Sequence, residues 1–275
     1  MRGGRLVSKQ RILVLGAGRM AEAIFAGLLR TQREYIEEIV VANRSDKSRL
    51  HELQEQYGVT VTTDWREHVR SADTVLLAMP PQNHRDVLRE LAPHLQGQLV
   101  VTVAAGIGIG LLEDLLPART PVAWVMPNTA AGIGESISLY TCGQHVGPEQ
   151  RDVLQMILAG IGEAAECTEQ QVHDLTAITG SAPAFLYAFA EELEAAAQSY
   201  GVTPATARKL VAQMIYGSAA MLRAGSDPAE LRDGVTTPGG ATAAGLRVME
   251  ERGFSDMMQD AVRATNARAR YMANE

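Results

Sequence analysis

Residues 11–29 read RILVLGAGRMAEAIFAGLL, an apolar run that turns through two glycines into an amphipathic segment. A strand, a glycine-rich turn and a helix in this order are the fingerprint of dinucleotide-binding βα units. Gly16 permits the tight turn, Gly18 lets a pyrophosphate approach the backbone, and Ala21 in the third glycine position lets the helix pack on the strand. A second apolar run follows at residues 38–43. The first part of the chain is therefore predicted to be a Rossmann-type, doubly wound parallel sheet that binds a dinucleotide.

The residues after the second strand select the cofactor. An acidic residue there would bind the ribose 2′-hydroxyl and repel a 2′-phosphate. This chain has Asn43, Arg44 and Ser45 instead, and a guanidinium beside small polar side chains suits a phosphate. The pattern favours NADPH, and NADH remains the alternative because Asp46 follows directly.

Composition excludes several classes of partner. The chain has 275 residues, 46% of them hydrophobic, and a net charge of −7, which argues against a nucleic-acid or anionic-membrane partner. The sequence has no apolar stretch long enough to span a bilayer, and residues 1–10 lack the apolar core of a signal peptide, so a cytoplasmic location is expected. Cys142 and Cys167 suit reduced thiols better than a disulfide framework, and the six histidines form no metal-binding spacing.

A change of hydrophobic period divides the chain near Cys167. Residues 1–167 are predicted to form the NADP-binding domain, and residues 168–275 an all-α domain for substrate binding and dimerisation. The second part is so rich in alanine and apolar side chains that we expect it to bury surface against another subunit. The predicted strands are residues 11–15, 39–42, 60–62, 74–78, 99–103 and 121–126, and the predicted helices are residues 148–161, 184–200, 204–223, 242–252 and 255–273.

Residues 233–246, DGVTTPGGATAAGL, combine hydroxyls with two adjacent glycines at the start of a predicted helix. Thr237 reads as the N-cap and Pro238 as the first helical residue, which would leave the N–H groups of Gly239, Gly240 and Ala241 free for a small anion. A helix start with a flexible entry is the alternative. The clustered hydroxyls favour the anion site.

Three further loops follow the fourth, fifth and sixth strands, where ligands bind in sheets of this type. Small residues in the first two would let a nicotinamide ring lie against the backbone, and Asn128 in the third is predicted to hydrogen-bond the substrate or an ordered water. The cofactor contacts expected from all of these patterns are Gly16, Gly18, Arg19, Met20, Asn43, Arg44, Ala78, Met79, Pro80, Ala104, Ala105 and Gly106.

The sequence resembles the pyrroline-5-carboxylate reductases over nearly its whole length. The resemblance rests on GAGRMA (residues 16–21), AGI (105–107), MPNT (126–129), GSAPAF (180–185) and VTTPGGAT (235–242). It implies NAD(P)H-dependent reduction of a cyclic imino acid to proline, and a helical domain that forms an interlocked dimer and often a ring of dimers. It further implies that the substrate lies between the nicotinamide and the Pro-Gly-Gly loop, with its carboxylate on backbone N–H groups and its ring nitrogen near the hydroxyl of Thr242. The substrate contacts expected are Asn128, Ser181, Thr237, Gly239, Gly240, Ala241 and Thr242, with Thr242 also the catalytic residue; Ser181 is equally well interpreted as a helix cap.

The chain departs from the family pattern at Pro80, Trp124 and Ala182, and two cationic side chains are missing as a result. A reductase for another cyclic imine and a non-catalytic NADPH-binding paralogue therefore stay open. A β-hydroxyacid dehydrogenase would need a catalytic lysine in the helical part. The only lysine beyond position 47 is Lys209, which has no glycine-rich setting or acid–base partner nearby in the sequence.

Overall fold

The computed structural model describes residues 8–273, and a single sheet forms the framework of its first part. Within these residues the strands are β1 (Gln10–Leu15), β2 (Ile36–Ala42), β3 (Thr60–Thr62), β4 (Thr74–Leu77), β5 (Leu99–Thr102), β6 (Val122–Met126), β7 (Ser136–Cys142) and β8 (Gly162–Glu166). They lie in the order β3-β2-β1-β4-β5-β6-β7-β8. Neighbouring strands are parallel except for β6 and β7, which are antiparallel. The predicted Rossmann-type architecture is confirmed.

The six predicted strands are present, whereas β7 and β8 were not predicted. β7 mixes polar with apolar residues, and β8 carries Glu163 and Glu166 at the edge of the sheet. An edge strand is solvated on one side, so it does not need the continuous apolar run that marks a buried parallel strand. β7 lies between β6 and β8, and there buried polar residues such as Ser136 and Ser138 interrupt the apolar run.

Alternation along β1 sends side chains to both faces of the sheet. Ile12 and Val14 belong to one apolar cluster, and Leu13 and Leu15 to the other. Such two-sided burial needs helices on both faces. The helices of this part are α1 (Arg19–Thr31), α2 (Lys47–Tyr57), α3 (Arg66–Val69), α4 (His84–Leu91), α5 (Ile109–Leu115), α6 (Pro148–Ala159) and α7 (Glu169–Thr176).

The strand order reverses at β1, which pairs with β2 on one side and β4 on the other. At such a switch point the loops leaving the two central strands diverge and open a crevice at their carboxyl ends. The glycine turn follows β1 and Ala78 follows β4, so the topology places both predicted cofactor segments at this crevice.

The chain divides into two compact units, one of residues up to 180 together with those from 266, and one of residues 181–265. The change of period near Cys167 thus coincides with the end of the sheet, while the first unit continues through α7. The remaining helices are α8 (Ala182–Ser199), α9 (Pro204–Arg223), α10 (Pro228–Gly234), α11 (Ala241–Glu251) and α12 (Phe254–Ala273). The predicted all-α second part is confirmed; α7 and α10 are additional to the predicted helices.

The second unit exposes much of its apolar surface. No residue of α8 is buried in the isolated chain, and Tyr187 and Tyr216 are 58% and 70% exposed. Exposed apolar residues on adjoining helices are typical of a surface that another protein covers. Those of α8 and α9 are Leu186, Tyr187, Phe189, Leu210, Met214, Tyr216, Met221 and Leu222.

Two glycines let helices α1 and α6 pack at backbone distance. A Cβ atom built on Gly27 would overlap the carbonyl oxygen of Gly160, which ends α6. A backbone atom cannot move aside as a flexible side chain does. We therefore expect Gly27→Ala to lower the free energy of unfolding by about 2 kcal/mol through overpacking, as measured by urea denaturation.

Gly110→Ala is the matched control, because Gly110 lies in α5 with no atom within 4 Å of a built Cβ. It should raise the free energy of unfolding by up to about 1 kcal/mol through helix propensity. Equal stability of the two variants would contradict the packing argument.

Candidate cofactor and substrate sites

A cavity of about 1110 Å³ opens at the carboxyl ends of β1, β2, β4 and β5. Of the twelve predicted cofactor residues, it is lined by all except Gly106, which lies in the turn beyond Ala105 with a left-handed φ of 77°. Residues that the sequence did not suggest also line the cavity: Thr63, Trp65, Arg66, Pro81, Asn83, Asp86, Val87, Arg89 and Glu90. Thr63, Trp65 and Arg66 could have been predicted from the end of β3, because the loop after each parallel strand lies at the same edge of the sheet.

A smaller cavity, of about 620 Å³, opens at the opposite edge of the sheet beside Gln10 and Thr74. It lies at the amino ends of β1 and β4, away from the glycine turn. Ligands in open parallel sheets bind at the carboxyl ends, so the larger cavity is the candidate cofactor site.

The two fingerprint glycines serve different purposes. Gly16 has a φ of +119°, and a Cβ there would lie 2.7 Å from the carbonyl oxygen of Ala78. Gly18 is the N-cap of α1, and a Cβ there would meet no atom within 4 Å. Gly16 is thus required by the protein's own packing, whereas Gly18 leaves space that a ligand can enter beside the N–H groups of the first turn of α1.

The loop after β2 is arranged by its own polar side chains. The amide oxygen of Asn43 accepts hydrogen bonds from the N–H groups of Ser45 and Asp46, both at 3.1 Å. The Asp46 carboxylate accepts from the N–H of Arg49 at 2.9 Å and so caps α2. Among the described residues Arg44 has no ion-pair partner, and it lines the cavity. A free cation is therefore available to an anion at this place.

Arg49 fixes the glycine turn by binding one of its carbonyl oxygens. Its Nε donates to the carbonyl oxygen of Ala17 at 3.2 Å, and its guanidinium is ion-paired with Glu22. The hydroxyl of Tyr57 donates to the same carboxylate at 2.8 Å, and burial raises the pKa of Tyr57, so it stays protonated. The turn carbonyl is bound by protein, which leaves the N–H groups of α1 to face the cavity.

Trp124, one of the departures from the family pattern, is buried in the core on the far side of the β5 loop. Its Nε1 donates to the carbonyl oxygen of Ala104 at 2.9 Å. Its ring contacts that of His173 with centroids 4.6 Å apart. The tryptophan therefore contacts the cavity wall from behind and does not line the cavity.

Asn128 binds protein groups with both ends of its amide. Its Oδ1 accepts from the N–H of Ala130 at 3.0 Å, and its Nδ2 donates to the carbonyl oxygen of Thr179 at 3.0 Å. Residues 177–181 form a π-helical turn, and a regular α-helix could not satisfy that carbonyl because Pro183, four residues on, has no N–H. The amide keeps one N–H beyond these contacts, so the expected contact of Asn128 with the substrate stays a prediction.

The structure corrects the predicted start of α11. The helix begins at Ala241 with Gly240 as its N-cap, not at Pro238 after Thr237. The N–H of Gly240 donates to the carbonyl oxygen of Thr237 at 2.9 Å, and Gly239 has a φ of +72°, so residues 237–240 form a type II turn. A proline followed by glycine favours this turn over a helical first position.

Because the helix starts at Ala241, the backbone N–H groups that are free to bind a ligand differ from the predicted ones. That of Gly240 is used in the turn, and those of the first helical residues, Ala241, Thr242 and Ala243, are left without intrahelical partners. Thr236 donates its hydroxyl to the carbonyl oxygen of Arg232 at 2.6 Å. Among the described residues, the hydroxyls of Thr237 and Thr242 make no hydrogen bond, so they remain available to a ligand.

Ser181 stands at the N-cap position of α8, but its side chain makes no capping hydrogen bond. The capping interpretation is therefore not realised in this conformation.

Among residues 8–273 there is no group of three histidine, cysteine or acidic side chains placed to hold a metal ion. No helix in this range is long and apolar enough to cross a membrane.

Comparisons with known proteins match both parts of the chain. Residues 169–272 match the family described as pyrroline-5-carboxylate reductase dimerisation, and residues 11–106 match the NADP oxidoreductase, coenzyme F420-dependent family. Pyrroline-5-carboxylate reductase of Corynebacterium melassecola is 36% identical over 258 residues, 92% of this chain and 95% of that protein. Pyrroline-5-carboxylate reductase 3 of Rattus norvegicus is 35% identical over 268 residues, 97% of each chain.

Solved structures agree with these matches. Pyrroline carboxylate reductase of Plasmodium falciparum, with NADP bound, superimposes with a TM-score of 0.86 at 27% identity over 97% of this chain and 99% of that one. The enzyme of Coxiella burnetii gives a TM-score of 0.87 at 30% identity, with 96% and 98% covered. The predictions of an NADP-dependent oxidoreductase and of its family are confirmed, and the chain belongs to the pyrroline-5-carboxylate reductase family.

Proposed function

We propose that this chain reduces 1-pyrroline-5-carboxylate to L-proline with NADPH, the last step of proline biosynthesis, in the cytoplasm. The observation that carries the proposal is the match over nearly the whole chain to reductases of this substrate. It is supported by a loop with the polar groups that such a substrate needs. The type II turn before α11 leaves unpaired N–H groups for a carboxylate and the hydroxyl of Thr242 for the ring nitrogen.

The carboxylate is assigned to the first turn of α11. The N–H groups of Ala241, Thr242 and Ala243 point out of the helix start, where the helix dipole favours an anion. This assignment moves the anion contacts two residues along the chain, so that of the predicted Gly239, Gly240 and Ala241 only Ala241 is kept. The two glycines then act by shaping the turn, and Thr237 and Ser181 remain candidate polar contacts at the substrate.

Catalysis in this scheme depends on positioning. NADPH, when bound, supplies the hydride that adds to the imine carbon. Thr242 is too weak an acid to deliver a proton alone, so its hydroxyl is assigned to hydrogen bonding at the ring nitrogen, which orients a substrate already protonated there. Holding the carboxylate and the nitrogen at two fixed points determines which face of the flat imine ring is presented.

The cofactor is assigned to the 1110 Å³ cavity. The N-terminus of α1 beside Gly18 suits the pyrophosphate, and the unpaired guanidinium of Arg44 suits the 2′-phosphate of NADPH. Asp46, whose repulsion of a phosphate was the alternative to NADPH, is used in capping α2. Ala78, Met79, Pro80, Ala104 and Ala105 form the wall assigned to the nicotinamide.

The matching dimerisation family indicates a homo-oligomer. We propose an interlocked dimer, with a ring of dimers as its higher assembly, since α8 and α9 expose apolar side chains in the isolated chain.

Turnover with the five-membered imine tests the function and the role of Thr242 together. Purified protein should consume NADPH when 1-pyrroline-5-carboxylate is added, and more slowly with a six-membered imino acid. Thr242→Val should lower kcat about tenfold through the loss of one hydrogen bond, with the KM for NADPH unchanged. Thr242→Ser keeps the hydroxyl and should retain most of the activity.

NADPH binding without turnover on either imine would contradict the proposed reaction and support a non-catalytic paralogue. Faster turnover of the six-membered imino acid would show that the substrate is another cyclic imine. If Thr242→Val impaired NADPH binding and turnover equally, the assignment of Thr242 to the substrate would be wrong.

Cofactor selectivity tests Arg44. Arg44→Ala should raise the KM for NADPH about thirtyfold, since a charge-assisted hydrogen bond is lost, and leave the KM for NADH unchanged. Arg66→Ala is the matched control: Arg66 lines the same cavity, but its guanidinium is ion-paired with Asp64 and Glu90. Its removal should change both KM values by the same factor. Equal losses for the two cofactors in Arg44→Ala would exclude it as the phosphate ligand.

A further inference from the structure

The peptide groups of Ala104 are held by buried side chains on both sides. Its N–H donates to the hydroxyl oxygen of Thr102 at 3.3 Å, and its carbonyl accepts from Trp124 at 2.9 Å. Ala104 lines the cofactor cavity, whereas Thr102 and Trp124 are buried in the core behind it. One short segment of the cavity wall is therefore fixed from behind by two side chains.

The contact continues from Thr102 to a second loop of the cavity. The Nε2 atom of His84 lies 2.9 Å from the Thr102 hydroxyl, and its Nδ1 atom lies 3.2 Å from the carbonyl oxygen of Pro80. His84 has no exposed surface, and burial lowers its pKa, so the ring is neutral and carries a single proton.

Donor and acceptor roles follow from this chemistry. A carbonyl oxygen only accepts, so the ring proton is on Nδ1 and is donated to Pro80. The bare Nε2 then accepts from the Thr102 hydroxyl, whose oxygen in turn accepts from the Ala104 N–H. One directed chain of three hydrogen bonds joins Ala104 to Pro80.

We propose that His84, Thr102 and Trp124 are positioning residues for the cofactor, and that they act by holding the Pro80 and Ala104 loops at a fixed separation. The inference rests on the proposed placement of NADPH in this cavity. Pro80 and Ala104 are opposite ends of the chain of hydrogen bonds, and each lines the cavity. The Ala104 loop cannot move without breaking buried hydrogen bonds, which is costly because no water replaces them, and the Pro80 loop is tied to the same chain by a part-buried one.

A purely structural role is the competing explanation. Apolar side chains would fill this part of the core without the cost of burying a hydroxyl, an imidazole and an indole N–H. All three polar groups meet at the two loops that line the cavity. This location favours a role in ligand binding over a role in stability alone.

Cofactor affinity in the folded protein separates the two explanations. Thr102→Val keeps the side-chain shape and removes the hydroxyl, and Trp124→Phe keeps an aromatic ring on His173 and removes the N–H. Each should weaken the binding of NADPH and NADH alike, by about tenfold, with a native circular dichroism spectrum. Dissociation constants from nicotinamide fluorescence titrations require no turnover, so the result stands whatever the outcome with the imine substrate.

Thr74→Val is the matched control. Thr74 is also buried in a central strand, but its hydroxyl makes no hydrogen bond among the described residues and it lies at the opposite edge of the sheet. The variant should bind both cofactors as the parent does. When Thr102→Val is combined with His84→Leu, the two losses of cofactor affinity should be less than additive, because each substitution breaks the same chain of hydrogen bonds.

Unchanged dissociation constants in folded Thr102→Val and Trp124→Phe, with a fall in stability alone, would overturn the proposal. Equal weakening by Thr74→Val would overturn it as well, since the effect would then belong to any buried hydroxyl. A loss of affinity for NADPH but not for NADH would also contradict the proposal, because the two loops are proposed to contact a part of the molecule that both cofactors share.

Discussion

The close approach of Gly16 to the carbonyl oxygen of Ala78 is the contact on which the cofactor region depends. A Cβ would stand 2.7 Å from that oxygen, so only glycine lets the loops after β1 and β4 lie against each other. The left-handed φ of Gly16 turns the chain at once into α1, whose N-terminus then opens onto the cavity. The turn, the helix start and the β4 loop are thus fixed together by a single backbone contact.

Side-chain N–H groups bind the loop carbonyls around this contact. Arg49 binds the carbonyl of Ala17, His84 that of Pro80, and Trp124 that of Ala104. All three carbonyls belong to residues that line the cavity. A carbonyl oxygen facing a pyrophosphate or an electron-rich ring would repel it, so binding these oxygens from behind leaves N–H groups and apolar surface for the ligand.

The fold could be predicted from the sequence where the structure depends on residues that are close together in the chain. The β1–α1 unit was readable because strand, glycine turn and helix are consecutive, whereas β8 was not, because an edge strand with two glutamates has no periodic signal. The start of α11 was misplaced because Pro238 suits both a helix start and a type II turn, and only the hydrogen bond to Thr237 distinguishes them. The hydrogen bond from Asn128 to Thr179 could not be predicted, because the two residues are 51 positions apart in the chain.

The chain lacks two cationic side chains of the family pattern, and the positions of the other charged residues in the cavity account for this difference. The cavity is lined by Arg19, Arg44, Arg66 and Arg89, against Asp86 and Glu90. Arg66 pairs with Glu90 and Arg89 with Asp86, so among the described lining residues Arg19 and Arg44 are left unpaired. In a chain of net charge −7 these are local positive sites, one at the start of α1 and one after β2. On the proposed placement of NADPH these two cations serve the pyrophosphate and the 2′-phosphate, so charge recognition in that proposal does not require cations at Pro80 and Trp124.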